Sequence, residues 1–188
     1  MTLRFAVPQD AAALVRIYAQ YIDTDITFEY ALPSVEEFAE RIRAFSRVYP
    51  YLVCEDAGRA VGYAYAHRLQ ERAAYQWNAE LSVYLDRGAC ARGLGRRLYA
   101  VLLELLRMQG VKTAYGIVTC PNMPSERLHE AMGFSRAALL RSTGYKNGAW
   151  HDVAYFEKAL APYEADPAPV VPIGALPQDA VQRALESF

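Results

Sequence analysis

The residues best placed to do chemistry lie in one uninterrupted stretch. A strand-like run, Glu80-Leu-Ser-Val-Tyr-Leu85, ends at Asp86-Arg-Gly-Ala-Cys-Ala-Arg-Gly-Leu-Gly95, and Arg96-Arg-Leu-Tyr-Ala-Val-Leu-Leu-Glu-Leu-Leu106 follows directly. A loop between a strand and a helix suits an anion. Glycines at 93 and 95 let the backbone approach a ligand, and the free N–H groups and positive dipole at the helix start favour phosphate. Arg92, Arg96 and Arg97 add positive charge at that end. Leu98 stands where a dinucleotide fold places its third glycine, and the chain contains no GxxxxGK[ST]. A pyrophosphate outside those two classes points to coenzyme A. Read alone, the tripeptide Gly-Leu-Gly could equally end a tight strand-to-helix turn.

The rest of the chain must hold this stretch in place. With 188 residues, 53% of them hydrophobic, it is long enough for one substantial core. A net charge of -1 gives no basic surplus for gripping nucleic acid or an acidic membrane. Cys54, Cys90 and Cys120 are odd in number and widely spaced, which suggests neither a disulfide framework nor a metal site and fits the cytoplasm. No stretch approaches the roughly 20 apolar residues of a membrane span, and the first residues lack the apolar core of an export signal.

The predicted order of elements is βααβββαβαββ. A strand spans Leu3 to Val7, and a helix from Pro8 puts Leu14, Ile17, Tyr18 and Tyr21 on one face. Ser34-Val-Glu-Glu37 is a capping box opening a second helix that turns Phe38, Ile42 and Phe45 inward. Tyr51 to Glu55 and Val61 to His67 form an antiparallel hairpin, followed by the strand 80 to 85 and a helix ending near Gly110. A strand spans Ala114 to Val118, a helix Ser125 to Met132, and a strand pair 135 to 141 and 151 to 158 surrounds Asn147-Gly148. This is an α/β chain with a mixed, mostly antiparallel, twisted sheet flanked by helices. Residues 1–163 are expected to form the domain. Five prolines between Pro162 and Pro177 mark 164–188 as a linker-like tail, either disordered or ending in a short helix whose Val181, Leu185 and Phe188 need a surface to dock on.

The glycine loop resembles motif A of the GNAT acetyltransferases, (Gln/Arg)xxGx(Gly/Ala), and the resemblance covers nearly the whole chain. Within that superfamily the chain is similar to the phosphinothricin and methionine sulfoximine N-acetyltransferases. Asp25-Ile-Thr-Phe-Glu29, Ala73 to Tyr84, Pro121-Asn-Met-Pro-Ser125, Leu128 to Phe134 and Gly144 to Val153 carry it. The resemblance implies the GNAT fold, transfer of acetyl from acetyl-CoA to the α-amine of a small anionic amino-acid analogue, a homodimer and no metal.

It also implies roles. Glu80 matches the general base, whose ordinary pKa of about 4.3 calls for partial desolvation, with Tyr75 and Trp77 close in sequence as a wall. His129 stands where many relatives place a tyrosine that protonates the leaving thiolate, although a packed helix residue reads the same way. His151 could orient the base or the substrate, or be a strand residue bonded to Asp152. Val83, Tyr84 and Leu85 should pair with the pantetheine arm as an added strand would, an N–H of Val83 or Tyr84 facing the oxyanion. Arg92, Gly93, Leu94, Gly95 and Arg96 should hold the pyrophosphate, and Asn122 and Ser125 touch the pantetheine. Cys90 departs from the Gln or Arg of the motif, which should weaken the grip on coenzyme A. Phe28, Arg72 and Tyr75 are the expected acceptor contacts, Arg72 binding a carboxylate or phosphinate bidentately while Gln70 replaces an expected cation. Two other functions compete: a GNAT-fold module that binds acyl-CoA without turnover, and a peptide N-terminal acetyltransferase.

Overall fold

The computed structural model describes residues 1–90 and 92–188; Ala91, within the glycine loop, lies outside the described residues. In chain order the elements are β1 (Thr2–Phe5), α1 (Ala11–Tyr18), α2 (Val35–Phe45), β2 (Tyr51–Asp56), β3 (Arg59–Arg68), β4 (Asn78–Leu85), α3 (Leu94–Gln109), β5 (Thr113–Cys120), α4 (Met123–Ala131), β6 (Ser135–Lys146), β7 (Ala149–Ala159) and α5 (Gln178–Glu186). The strands form one sheet in the order β1-β2-β3-β4-β5-β7-β6, in which only β4 and β5 run parallel. This is the mixed, mostly antiparallel sheet the sequence predicts.

Alternation along β4 divides its side chains between two cores. Ala79 and Leu81, with Val83 and Leu85 at the margin, face the layer of Leu98, Leu102, Leu105 and Leu106 from α3. Tyr84 faces the other layer, where α1 and α2 cover Tyr51 and Tyr63 with Leu14, Ile17, Phe38 and Ile42. Glu80 and Ser82 share that second face, and Glu80 is the only carboxylate of β4. The capping box forms as expected: the Ser34 N–H donates to Glu37 Oε2 at 2.8 Å, and the Glu37 N–H donates to Ser34 Oγ at 3.1 Å.

Several element ends differ from the sequence reading, and those of β1, α4 and the β6–β7 hairpin do so for a local reason. β1 stops at Phe5 because the Asp10 carboxylate accepts the Val7 N–H and starts the next helix. α4 begins at Met123 instead of Ser125: the Asn122 side chain caps it by accepting the Ser125 N–H, and Pro124 is tolerated in the first turn. β6 and β7 extend to Lys146 and Ala149, because Asn147 and Gly148 at φ 51° and 78° make a two-residue hairpin turn. Much of β6 is exposed and its register shifts between Leu140 and Gly144, so no alternating pattern announces it.

Residues 160–188 run back across the sheet. Trp77 Nε1 donates to the Ala168 carbonyl at 2.8 Å, and Gln109 Nε2 bridges the Val48 and Val171 carbonyls at 2.6 and 2.7 Å. Ile173, Leu176, Val181 and Ala184 are buried in the α3 core, which supplies the surface that a nine-residue helix needs.

Candidate active site

Gly93 caps α3 at φ 72°, a left-handed conformation that glycine adopts without strain, and an added Cβ there would meet nothing within 4 Å. The first intrahelical bond runs from the Arg97 N–H to the Gly93 carbonyl at 3.2 Å, so the N–H groups of Leu94, Gly95 and Arg96 have no partner in the helix. The Leu94 side chain is buried and anchors the turn, leaving its backbone outward. Arg92, Arg96 and Arg97 are exposed around this rim. The Arg97 guanidinium lies over the Phe188 ring, 4.1 Å from its centroid, so the tail also reaches this loop.

Upstream of the loop the sheet opens. The parallel register of β4 and β5 ends at Leu81 opposite Gly116, yet β4 continues to Leu85 and β5 to Cys120. Ser82 to Leu85 therefore lack a strand partner on that side, and the split contains a cavity lined by Ser82, Val83, Tyr84, Asn122, Ser125 and His129. Unpaired strand edge of this kind accepts an extended ligand. One carbonyl is already used, since the Tyr21 hydroxyl donates to Leu85 O at 2.6 Å.

His129 forms part of the cavity wall and is 2% exposed. Its Nδ1 lies 2.8 Å from the Ser125 carbonyl, an acceptor, so Nδ1 carries the proton and Nε2 accepts from the Tyr99 hydroxyl at 3.2 Å. Burial lowers its pKa and favours this neutral form. Gly116 makes room for the ring, because a Cβ there would stand 1.9 Å from Nε2.

Glu80 sits one residue before the split. Its side chain is 23% exposed, and burial raises its pKa above the ordinary carboxylate value, partly offset by His67. His67 is its partner across the β3–β4 ladder, with Nε2 3.7 Å from Glu80 Oε1. Phe45 stacks on the His67 ring, centroids 5.2 Å apart.

A second cavity adjoins the first, sharing Ile26, Thr119 and Asn122 and adding Asp25, Met123 and His151. A buried lysine holds the loop that forms one of its walls. The Lys146 ammonium, 3% exposed, donates to the carbonyls of Ile22, Thr24 and Thr27 at 2.6, 2.8 and 2.6 Å, spending all three of its protons. Asn147 adds bonds to Asp23 O and Asp25 Oδ1. The hairpin turn thereby clamps the loop that carries Asp25 and Phe28. His151 Nε2 donates to the Lys146 carbonyl at 2.9 Å and lies 3.5 Å from Asp25 Oδ1. Its partner is thus not Asp152, whose carboxylate accepts the Ser142 N–H. Phe28 packs beside His151 and against Gly144, where a Cβ would stand 2.2 Å from its ring.

Two expected groups lie elsewhere. Arg72 and Tyr75 are exposed around a short 3-10 turn, Ala73–Tyr75, and line neither cavity. Trp77 points its indole N–H at the tail, so the wall beside Glu80 is the Phe45–His67 stack. His67, Lys146 and Gly144 are missed by the motif reading. Alternation through Tyr63, Tyr65 and His67 was a usable signal for the first, whereas nothing local marks Lys146 as buried.

Among the described residues no three of His, Cys, Asp or Glu come together to hold a metal ion, and no helix is long and apolar enough to cross a membrane. Residues 3–155 match the family described as Acetyltransferase (GNAT) domain. The chain is 37% identical over 172 residues to a phosphinothricin N-acetyltransferase of Streptomyces viridochromogenes, covering 91% of this chain and 93% of the relative. It is 30% identical over 176 residues to an L-methionine sulfoximine/L-methionine sulfone acetyltransferase of Salmonella typhimurium, covering 89% and 99%. A solved GNAT superfamily phosphinothricin acetyltransferase from Sinorhizobium meliloti, in complex with acetyl-CoA, superposes with a TM-score of 0.86 at 33% identity, covering 93% of this chain and 97% of that one.

Proposed function

The chain belongs to the GNAT acetyltransferase family and is an acetyl-CoA-dependent acyltransferase; from that premise we propose that it acetylates the α-amine of a small anionic amino acid or analogue, of the phosphinothricin and methionine sulfoximine kind. The observation that carries this reading is the continuity of β4. One strand holds a half-buried carboxylate at Glu80, opens an unpaired edge from Ser82 to Leu85, and leads to the free N–H groups at the start of α3.

In this reading the N–H groups of Leu94, Gly95 and Arg96 cradle the pyrophosphate beside Arg92. The backbone of Val83 to Leu85 aligns the pantetheine with Asn122 and Ser125, and a β4 N–H faces the carbonyl oxygen as charge develops on it. Glu80 takes a proton from the acceptor ammonium, because only the free amine can attack the thioester. His129, neutral and fixed by Ser125, lines the pantetheine end of this path, with the Tyr99 hydroxyl held on its Nε2. Phe28 and His151 bound the acceptor.

We also propose a cytoplasmic homodimer. Its three cysteines are free, and Tyr30, Tyr145 and Trp150 form an exposed aromatic patch, with Tyr30 Oη bonded to the Tyr145 carbonyl. Light scattering should give about twice the 21.1 kDa chain mass, and a monomer at micromolar concentration would refute the dimer.

The decisive assay measures thiol release from acetyl-CoA with amino acids, phosphinate and sulfoximine analogues, polyamines and short peptides. The highest kcat/KM is expected with a small amino acid bearing a second anionic or polar group. Turnover confined to peptides, or a coenzyme A thermal shift with no turnover on any amine, would overturn the assignment.

A further inference from the structure

Acetyl transfer to an ammonium acceptor releases one net proton. The nitrogen gives up two protons as its bond to the acetyl carbon forms and the carbon–sulfur bond breaks; one ends on the sulfur, and the other leaves with the base. Glu80 is only 23% exposed and is flanked in the ladder by His67, so that second proton needs a way out.

His67 provides the geometry for it. Its Nδ1 lies 2.9 Å from the Arg68 carbonyl, and a carbonyl only accepts, so Nδ1 carries the proton of the neutral ring. Nε2 then presents its lone pair to Glu80 Oε1 at 3.7 Å. At 3.7 Å the two atoms stand just beyond hydrogen-bond reach, so a small side-chain adjustment or one bridging water completes the path, and the proton is held either as the Glu80 carboxylic acid or as the His67 imidazolium. Beyond the imidazole lies a cleft of about 290 Å³ lined by Phe45, Val48, Tyr49, Arg68 and Glu71 together with His67. Neither cavity of the split contains His67, so this cleft is a separate opening.

We propose that His67 is the proton relay of this enzyme, taking from Glu80 the proton surrendered by the acceptor ammonium and releasing it to solvent through the cleft at Phe45, Arg68 and Glu71. The proposal rests on Glu80 being the base. In each turnover the Glu80 O–H proton moves to Nε2, the imidazolium loses its Nδ1 proton to water in the cleft, and solvent exchange of the remaining proton from Nε2 to Nδ1 restores the starting tautomer beside the carboxylate. His67 acts through Glu80 and touches no substrate.

The other ionisable groups around the pair are Tyr65 on β3, Tyr115 beside Glu80 on β5, Tyr99 from α3, Arg41 from α2 and, at the mouth, Arg68 and Glu71. Among charged neighbours His67 is the one that acts on Glu80, lowering its pKa. Loss of the imidazolium therefore moves the acidic limb of the kcat/KM profile to higher pH.

His67→Phe keeps a ring against Phe45 and removes the relay. It should lower kcat on the order of 10²-fold, the lower end for a lost acid–base group, with the coenzyme A thermal shift retained as the check on folding. In His67→Gly, added imidazole should restore turnover in proportion to its concentration, whereas Glu80→Gln should be equally slow or slower and gain nothing from imidazole. Wild-type rates in both His67 variants would overturn the relay, as would slow variants with an unmoved acidic limb and no rescue, which would make His67 a packing residue. Near-normal turnover of Glu80→Gln would instead remove the base itself, and that outcome is read independently of His67.

Discussion

The two halves of the candidate site are built on opposite principles. The cofactor half is contiguous: from Ser82 to Arg96 one strand, one loop and one helix start present backbone groups to a ligand, and side chains such as Leu94 serve as anchors. The proposed acceptor half draws Asp25 and Phe28, His67, Glu80, Gly144 and His151 from segments far apart in sequence, and it presents side chains instead of backbone. Backbone N–H groups at a helix end serve any anion, so this half can stay constant across many acceptors. In the proposed reading the side-chain half sets which amine is acetylated and when its proton leaves, so small changes there should redirect the enzyme without loosening its hold on coenzyme A.

The largest expected effect tests the first half. In Gly93→Asp the new Cβ meets nothing within 4 Å, and aspartate is a favoured cap for a helix N-terminus and tolerates positive φ better than most residues. The free protein should lose little stability. Its carboxylate would stand about 5 Å from a bound phosphate, where two like charges repel by about 3 kcal/mol at an effective dielectric of about 20, or about 10²-fold in affinity. The coenzyme A thermal shift should vanish in Gly93→Asp and largely survive in the uncharged, similarly shaped Gly93→Asn. A shift retained in the aspartate variant would move the pyrophosphate away from this loop.

This division also explains what was legible in the sequence. The glycine loop, the capping box at Ser34 and the hydrophobic face of α3 are local patterns with local causes, so they read correctly from one segment at a time. The extension of β6 to Lys146 did not, because its exposed residues follow no alternation and its register shifts midway. Lys146 looks like an ordinary solvated lysine until the fold brings three carbonyls from residues 22 to 27 onto its ammonium. Sequence proximity places Trp77 beside Glu80, yet it stands just before β4, three residues from Glu80, and its indole holds residue 168. Arg72 is legible as a candidate and still lines neither cavity, since an exposed turn leaves a long side chain unplaced by any neighbour.

A smaller effect should isolate the second half. Gly144 lies in β6 with a backbone that alanine can adopt, since it is not among the positive-φ residues, so Gly144→Ala acts only through its new methyl group. That methyl would stand 2.2 Å from the Phe28 ring, and the Phe28 loop is clamped by Lys146 and cannot retreat as a unit. The ring itself must swing, toward His151 on one side or out of the acceptor wall on the other. Crowding of this kind costs about 1–3 kcal/mol of stability. Loss of about 1.4 kcal/mol of acceptor contact should raise its KM about 10-fold, while the KM for acetyl-CoA and the coenzyme A thermal shift stay as they are. Acceptors with shorter side chains should suffer least, because they depend least on the displaced ring. A variant that melts earlier yet keeps the acceptor KM would show that Phe28 only packs the loop, and the acceptor wall would then have to be sought around Asp25 and His151 alone.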